Sequence, residues 1–450
     1  MSGLSERFRE VGIDIPDLYL PSEEVDRQAW AVVACDQYSS ERDYWDKARE
    51  FVGDKPSTLN LIFPECYLGD TDKAERIGNI QAAMRDYLAK AYLKSTGRGF
   101  IVVERFTPYE TKPRVGLMVA LDLEKYDYST GSVSLIRPTE GTIVERLPPR
   151  MAIRRGAPLE LPHIMVLLDD PRRTVIEPLY EKRSFFPKVY DFDLMAHSGH
   201  VRGWFVKEGD YLAPVAEALA RLADPSRFAE VYGTDKVLLY AVGDGNHSLA
   251  TAKAIWEEVK ASLRGRPDEA ELLATHPARF ALVELVNIYD EGLPFHPIHR
   301  VLFNVDTRDF LAEAAVAGAS VQRYADVGAA IAACDASVPG RHVIAFMVHG
   351  EAGTLSFENS GQPLAAGTIQ VFLDAYLKGH TATTIDYIHG EGSLKSLGQK
   401  PGNLGLYLPP VDKGSFFSTV IQNGAMPRKT FSMGEAPEKR FYIEARKIMP

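Results

Sequence analysis

The stretch from residue 236 to 260, KVLLYAVGDGNHSLATAKAIWEEVK, constrains this chain more than any other. Residues 237–242 are an uninterrupted apolar run, the pattern of a buried strand. Gly243, Asp244, Gly245 and Asn246 then supply turn chemistry. From His247 onward, Leu249, Ala252, Ile255, Trp256 and Val259 recur at helical spacing on one face. An Asp, a His and a Ser therefore stand where a strand hands over to a helix. Open α/β sheets bind ligands at the carboxyl ends of their strands. A helix N-terminus adds unpaired N–H groups and positive partial charge, which suit phosphate. The same residues would serve equally well as a plain turn whose Asp or Ser caps the helix. Spacing alone does not separate the two readings.

Composition narrows the classes. With 450 residues, 45% hydrophobic and 25% charged, the chain can bury a sizeable core. A net charge of -10 argues against a general nucleic-acid or anionic-membrane surface, though not against a local basic pocket. Cys35, Cys66 and Cys334 show no CxxC spacing, which excludes a disulfide framework and a Cys-rich zinc site and fits a reducing cytoplasm. The N-terminal MSGLSERFREVGIDIPD lacks an apolar h-region, so no signal peptide is expected. No apolar run approaches the roughly 18 residues of a spanning helix, so no membrane partner is expected.

Further along the chain, residues 30–35, 59–63, 100–105, 114–121, 163–168, 189–194 and 279–289 read as strands, and 73–94 as a helix. Residues 126–136 suggest a hairpin around Thr130-Gly131. Residues 137–147 carry two arginines and two glutamates, too much charge for a core strand, and read as a polar loop running into a helix. That loop is either merely solvated or a substrate loop. In the second case Glu140 or Glu145 is a carboxylate base and Arg137 or Arg146 faces phosphate. The charged, Gly- and Pro-containing segment 262–271 is the best internal boundary. It predicts an N-terminal lobe over 1–265 and a C-terminal lobe over 266–450. His299-Arg300, beside prolines, can face an anion or pair with a surface carboxylate. Near the end, Lys429 and Thr430 in a basic stretch can close over phosphate.

Three motifs recur in a familiar order: Asp244-Gly245-Asn246-His247-Ser248, Pro297-Ile298-His299-Arg300-Val301 and Met426-Pro427-Arg428-Lys429-Thr430. Together, and with His389, they resemble the uncharacterised conserved family "DUF ten-fifteen", a domain of unknown function. The likeness is strongest over residues 235–435 and looser before that. The central turn also resembles that of the ParB/sulfiredoxin-like superfamily, which includes a free-serine kinase with Asp-Gly-His-His-Arg. The resemblance implies an α/β fold of mixed sheets in two lobes, with a nucleotide-binding turn of that kind. It implies that Asp244 holds a metal or a substrate group, and that His247 and the helix N-terminus face phosphate. Asn246 and Ser248 depart from the pattern, and losing the Arg removes a bidentate phosphate partner.

The resulting expectation is a phosphotransferase of the small-molecule kinase kind, acting on a small polar metabolite with Mg²⁺ and ATP or ADP. In it Asp244, His247 and Glu140 are catalytic and Asp244 is the metal ligand. Gly245, Asn246, Ser248, His299, Arg300, Lys429 and Thr430 bind substrate or phosphate. Asp244, His247, Arg300 and Lys429 are expected to line one pocket. No nucleic-acid partner is expected, and self-association is compatible with the sequence. The alternatives are a nucleotide- or phosphometabolite-binding regulator without turnover, and a hydrolase built on the same turn. Against several familiar classes, the sequence has no Gly-x-Ser-x-Gly elbow, Walker A loop or Gly-x-Gly-x-x-Gly fingerprint.

Overall fold

Long apolar strands buried on both faces set the architecture of the first part of the chain. The computed structural model describes residues 3–336, 340–427 and 429–450. It divides into two units: the chain up to Leu293 together with Ala436–Pro450, and Pro294–Glu435. The elements used below for the first unit are α1 (Lys73–Ala89), β1 (Leu93–Phe106), β2 (Arg114–Asp122), β3 (Ile136–Pro138), α2 (Leu147–Arg154) and β4 (Met165–Leu168). They continue with β5 (Lys188–Asp193), β6 (His200–Lys207), β7 (Tyr240–Asp244), α3 (Asn246–Leu263) and β8 (Phe280–Asn287). The strands run in the order β3-β7-β4-β8-β2-β1-β6-β5, and two short N-terminal strands pair on the flank. Pairing is parallel at β3–β7 and β4–β8 and antiparallel elsewhere along this path, so the sheet is mixed.

Alternation along the strands sends side chains to two cores. Val102, Leu117, Val119, Val283 and Leu285 face one, covered by Leu249, Ala252 and Trp256 of α3. Ile101, Val103, Met118 and Leu282 face the other, covered by Trp30, Trp45, Ile80, Met84 and the returning segment around Tyr442 and Ile443. Burying each large apolar side chain of this kind contributes about 1.5–3 kcal/mol. The α/β class with mixed sheets is therefore what the sequence pattern implied.

The second unit holds β9 (His299–Phe303), α4 (Thr307–Val316), β10 (Ala319–Tyr324), β11 (Arg341–Val348), β12 (Glu351–Glu358), α5 (Ala365–Gly379), β13 (Thr384–Ile388) and β14 (Asn403–Tyr407). Its six-stranded sheet has the order β10-β12-β11-β14-β9-β13 and is antiparallel at every pairing.

Several local expectations give way to tertiary context. Residues 30–35 are not a strand. Arg27–Trp30 is a helical turn capped by Asp26, and the following residues run extended, with Ala34 N–H bonded to the Arg440 carbonyl at 2.9 Å. Their apolarity reflects the burial of residues 30–34 rather than a sheet period. Residues 58–60 form a 3-10 turn capped by Ser57. Residues 126–136 do not form a hairpin: Tyr126 bridges Ile136 in parallel, and the chain enters β3 beside β7. Arg137 is buried within β3, where its guanidinium donates to the carbonyls of Ser134, Lys236 and Val237, so a charged residue does sit in this strand. The unit division also differs from the expected break at residue 265. β8, beyond that break, is paired between β4 and β2 inside the first sheet, and the chain returns to the first unit at Ala436.

Candidate functional site

β7 carries its apolar run into the sheet and ends at Asp244, where a register shift against β4 turns the chain outward. Gly245 follows with φ +80°, a left-handed conformation that costs an L-residue about 1–2 kcal/mol. A Cβ there would also lie only 3.0–3.3 Å from Ile164 atoms. Glycine is thus required on two grounds. It starts α3, an 18-residue helix that has no side-chain cap at its N-terminus. Its first turn presents Asn246, His247 and Ser248, with their N–H groups pointing out of the helix.

The Asp244 carboxylate accepts from the Gly245 N–H at 2.9 Å and from the Lys439 ammonium at 3.1 Å. Burial pushes its carboxyl up, but Lys439, together with His163 and the Gly245 N–H, outweighs burial and holds it below the ordinary carboxylate value. Asn246 Oδ1 accepts from the Thr139 N–H at 3.2 Å, and His247 Nε2 accepts from the Ile143 N–H at 3.3 Å. The loop expected to carry a base is therefore strapped to the turn on both sides of half-buried Glu140. Thr142 Oγ1, in the same loop, is buried with no hydrogen-bond partner among the described residues. Arg146 is exposed.

Ser248 meets a residue that sequence reading left out. Its Oγ lies 3.0 Å from His163 Nε2, whose ring is held from behind by the Tyr442 hydroxyl at 2.8 Å from Nδ1. Asp36 Oδ2 stands 3.7 Å from the same Nε2. His163 arrives because it lies two residues before β4, the antiparallel neighbour of β7. Lys439 and Tyr442 arrive on the returning C-terminal segment, 195 and 279 residues from their partners Asp244 and His163. Their one sequence signal is charge interleaved with aromatics in PEKRFY, residues 437–442.

Asp244 was the expected metal ligand. Its oxygens are engaged by Lys439 and the Gly245 N–H, and among the described residues the carboxylate belongs to no group of three or more metal-ligating side chains. The group of three such described side chains that comes together at ligand distance is Asp309, Glu313 and His380 in the second unit. The donor set at Asp244 does not fit a protein-held Mg²⁺; the cation beside it is the Lys439 ammonium.

The remaining expected residues lie in the second unit. His299 is 3% exposed; it accepts the Leu408 N–H on Nδ1 at 3.2 Å and stacks on Tyr407, 4.6 Å between ring centres. Burial, with Arg300 next to it, pushes its imidazole down to about 4, so it is neutral at pH 7. Arg300 is fully buried, donates to the Ile298 carbonyl and lies over the Tyr387 ring at 5.2 Å. Its Nε and Nη2 have no hydrogen-bond partner among the described residues, and burial pushes the guanidinium down to about 10. Thr430 is buried, its hydroxyl donating to the Pro427 carbonyl at 2.6 Å. Lys429 is exposed, and Arg428 of the same motif lies outside the described residues.

A family model for a protein of unknown function (DUF1015) matches residues 17–376. The chain belongs to this family. No curated protein matches it. Among solved structures it is similar to a conserved hypothetical protein from Pyrococcus furiosus, at 10% identity over 74% of this chain and 95% of that one, with a TM-score of 0.35. It is also similar to free serine kinase in complex with AMP, at 9% identity over 72% and 93%, with a TM-score of 0.37. SbnI with C-terminal truncation from Staphylococcus aureus matches at 12% identity over 72% and 82%, with a TM-score of 0.33. At these scores the likenesses carry no argument about what this family member does. Among its described residues no helix is long and apolar enough to cross a membrane.

Proposed function

We propose that the first unit binds a nucleotide, ATP or ADP, through its phosphates at the first turn of α3 and passes a phosphoryl group to a small metabolite. The observation that carries this reading is the uncapped N-terminus of α3 with the Lys439 ammonium held beside it by Asp244. Phosphoryl transfer needs charge neutralisation and positioning more than covalent chemistry. Helix N–H groups and a fixed ammonium supply the first. In this reading Asp244 orients Lys439, the first-turn N–H groups and Lys439 take the phosphates, and Glu140 is the general base on the acceptor hydroxyl. Three free thiols suit a reducing cytoplasm as the setting.

The test is ADP formation from ATP across a panel of alcohols, sugars and amino acids. Glu140→Gln should lower kcat by about 100-fold or more, the worth of a general base, while leaving ADP affinity unchanged. Absence of turnover with every acceptor, alongside intact ADP binding, would favour the second reading, a nucleotide-binding regulator. What favours that reading is that the Asn246 and Ser248 side chains, standing where the Asp-Gly-His-His-Arg pattern has His and Arg, are both engaged within the protein.

A further inference from the structure

Beside Ser248 lies a cavity of about 150 Å³ within the first unit. Its walls are mostly hydrocarbon, supplied by side chains including Leu61, Phe63, Met84, Ile153, Leu159 and Leu161. A dry cavity of roughly this size, lined by Leu, Ile and Phe, admits a molecule as large as benzene. The charged lining residues are matched: Arg150 pairs with Glu65, and Arg154 with Glu160. Burial pushes the Cys35 thiol up, so it too is neutral. The walls therefore offer an occupant no net charge.

The polar end of the cavity has a direction. Tyr442 is 2% exposed, and its oxygen accepts the Cys35 N–H at 3.1 Å. Its own proton needs an acceptor, and His163 Nδ1 at 2.8 Å is a far stronger one than the nearby Cys35 sulfur. That leaves the imidazole proton on Nε2. The Asp36 carboxylate, 3.7 Å from Nε2, favours the same tautomer. His163 thus donates to Ser248 Oγ, and Ser248 has no second partner among the described residues. Its hydroxyl proton is left for an occupant.

We propose that this cavity is a ligand subsite for an uncharged molecule with a hydrocarbon body and one oxygen that accepts a hydrogen bond, an alcohol or carbonyl compound. Ser248 is its donor, and His163 and Tyr442 are positioning residues behind it. With an alcohol as occupant, whose hydroxyl gives its proton to the Glu140 base as it takes the phosphoryl group, the subsite is the acceptor side of the transfer, and that assignment rests on the function proposed above. It replaces a small polar acceptor with one whose body is apolar.

The probe is benzyl alcohol, titrated calorimetrically into the full-length protein, with toluene as its counterpart lacking the oxygen. Saturable binding of benzyl alcohol is expected. Ile153→Trp on α2 should weaken it about tenfold or more by filling the cavity. Leu161→Trp fills the cavity from a different segment and serves if the first variant does not fold. Ser248→Ala should abolish the preference for benzyl alcohol over toluene, about fivefold for one hydrogen bond. Failure of benzyl alcohol to bind, or binding that the filling variants leave unchanged, overturns the subsite. So does a preference that survives Ser248→Ala. ADP-induced stabilisation, measured on the same samples, reports on the phosphate site alone. If ADP fails while benzyl alcohol binds as expected, the subsite stands and the phosphoryl-transfer reading falls; the reverse result overturns only the subsite.

Discussion

At the scale of single residues, the account turns on which polar groups are held and which are left over. His299 is a held one. Its unfolded imidazole titrates near 6.5, while the folded one is pushed down to about 4. As pH falls through 6.5 the unfolded chain takes up a proton that the folded chain refuses until about pH 4. Stability is thus full above the unfolded value and lost on the way down, by about 3 kcal/mol. Urea denaturation between pH 7 and 4.5 should show this loss, and His299→Asn, which keeps an acceptor for the Leu408 N–H, should flatten it. An unchanged slope in the variant would mean that other groups carry the acid sensitivity. Asp244, Gly245, Asn246, His247 and Ser248 could be picked out from sequence because they are contiguous. Lys439, Tyr442 and His163 could not, because a sheet register and a returning chain end bring them in.

At the scale of elements, the β7-turn-α3 unit shows what sequence patterning can and cannot give. The glycine turn and the helical stripe are local and formed as the pattern implied, whereas the strand starts only at Tyr240 and runs on through Asp244, leaving residues 237–239 ahead of it. Gly245→Ala tests how tightly they are joined. The left-handed φ costs about 1–2 kcal/mol, and contact with Ile164 adds to it. The expected result is a lower thermal midpoint together with ADP binding weakened by about tenfold or more, because relief of the strain shifts the first turn of α3. A stability loss with unchanged ADP affinity would separate the turn from the site. The segment 30–35 taught the opposite lesson. It has the composition of a strand, but its partners are the chain's last residues, so it runs extended without forming one. Arg137 misled for a related reason: three carbonyls satisfy a guanidinium inside the sheet.

At the scale of the whole molecule, the first unit is closed by its own C-terminal segment. Arg440 is 3% exposed and reaches both Glu284 and Glu444, while Tyr190 donates to Glu444. Arg446 pairs with Glu160 at 2.7 Å. Removing one partner from such a buried network strands the others, at about 3–5 kcal/mol. Arg440→Ala should show that loss in chemical denaturation. Truncation after Glu435 should destabilise the first unit more severely, since it also removes the apolar Phe441, Tyr442 and Ile443. A truncated chain as stable as the full one would refute the closing role. This discontinuous organisation also explains why residue 265 looked like a boundary. Local composition marks an exposed connection, whereas unit membership is decided by which strands pair.

The central claim is that the first turn of α3 and Lys439 form a phosphate site. Its most direct test is ADP binding by calorimetry to the wild-type protein and to Lys439→Ala. The account predicts saturable binding in the wild type, which also raises its thermal midpoint by mass action. It predicts a loss of about tenfold or more in the variant, in line with one charge-assisted contact. No ADP binding by the wild type, or equal affinity in the two proteins, would contradict it.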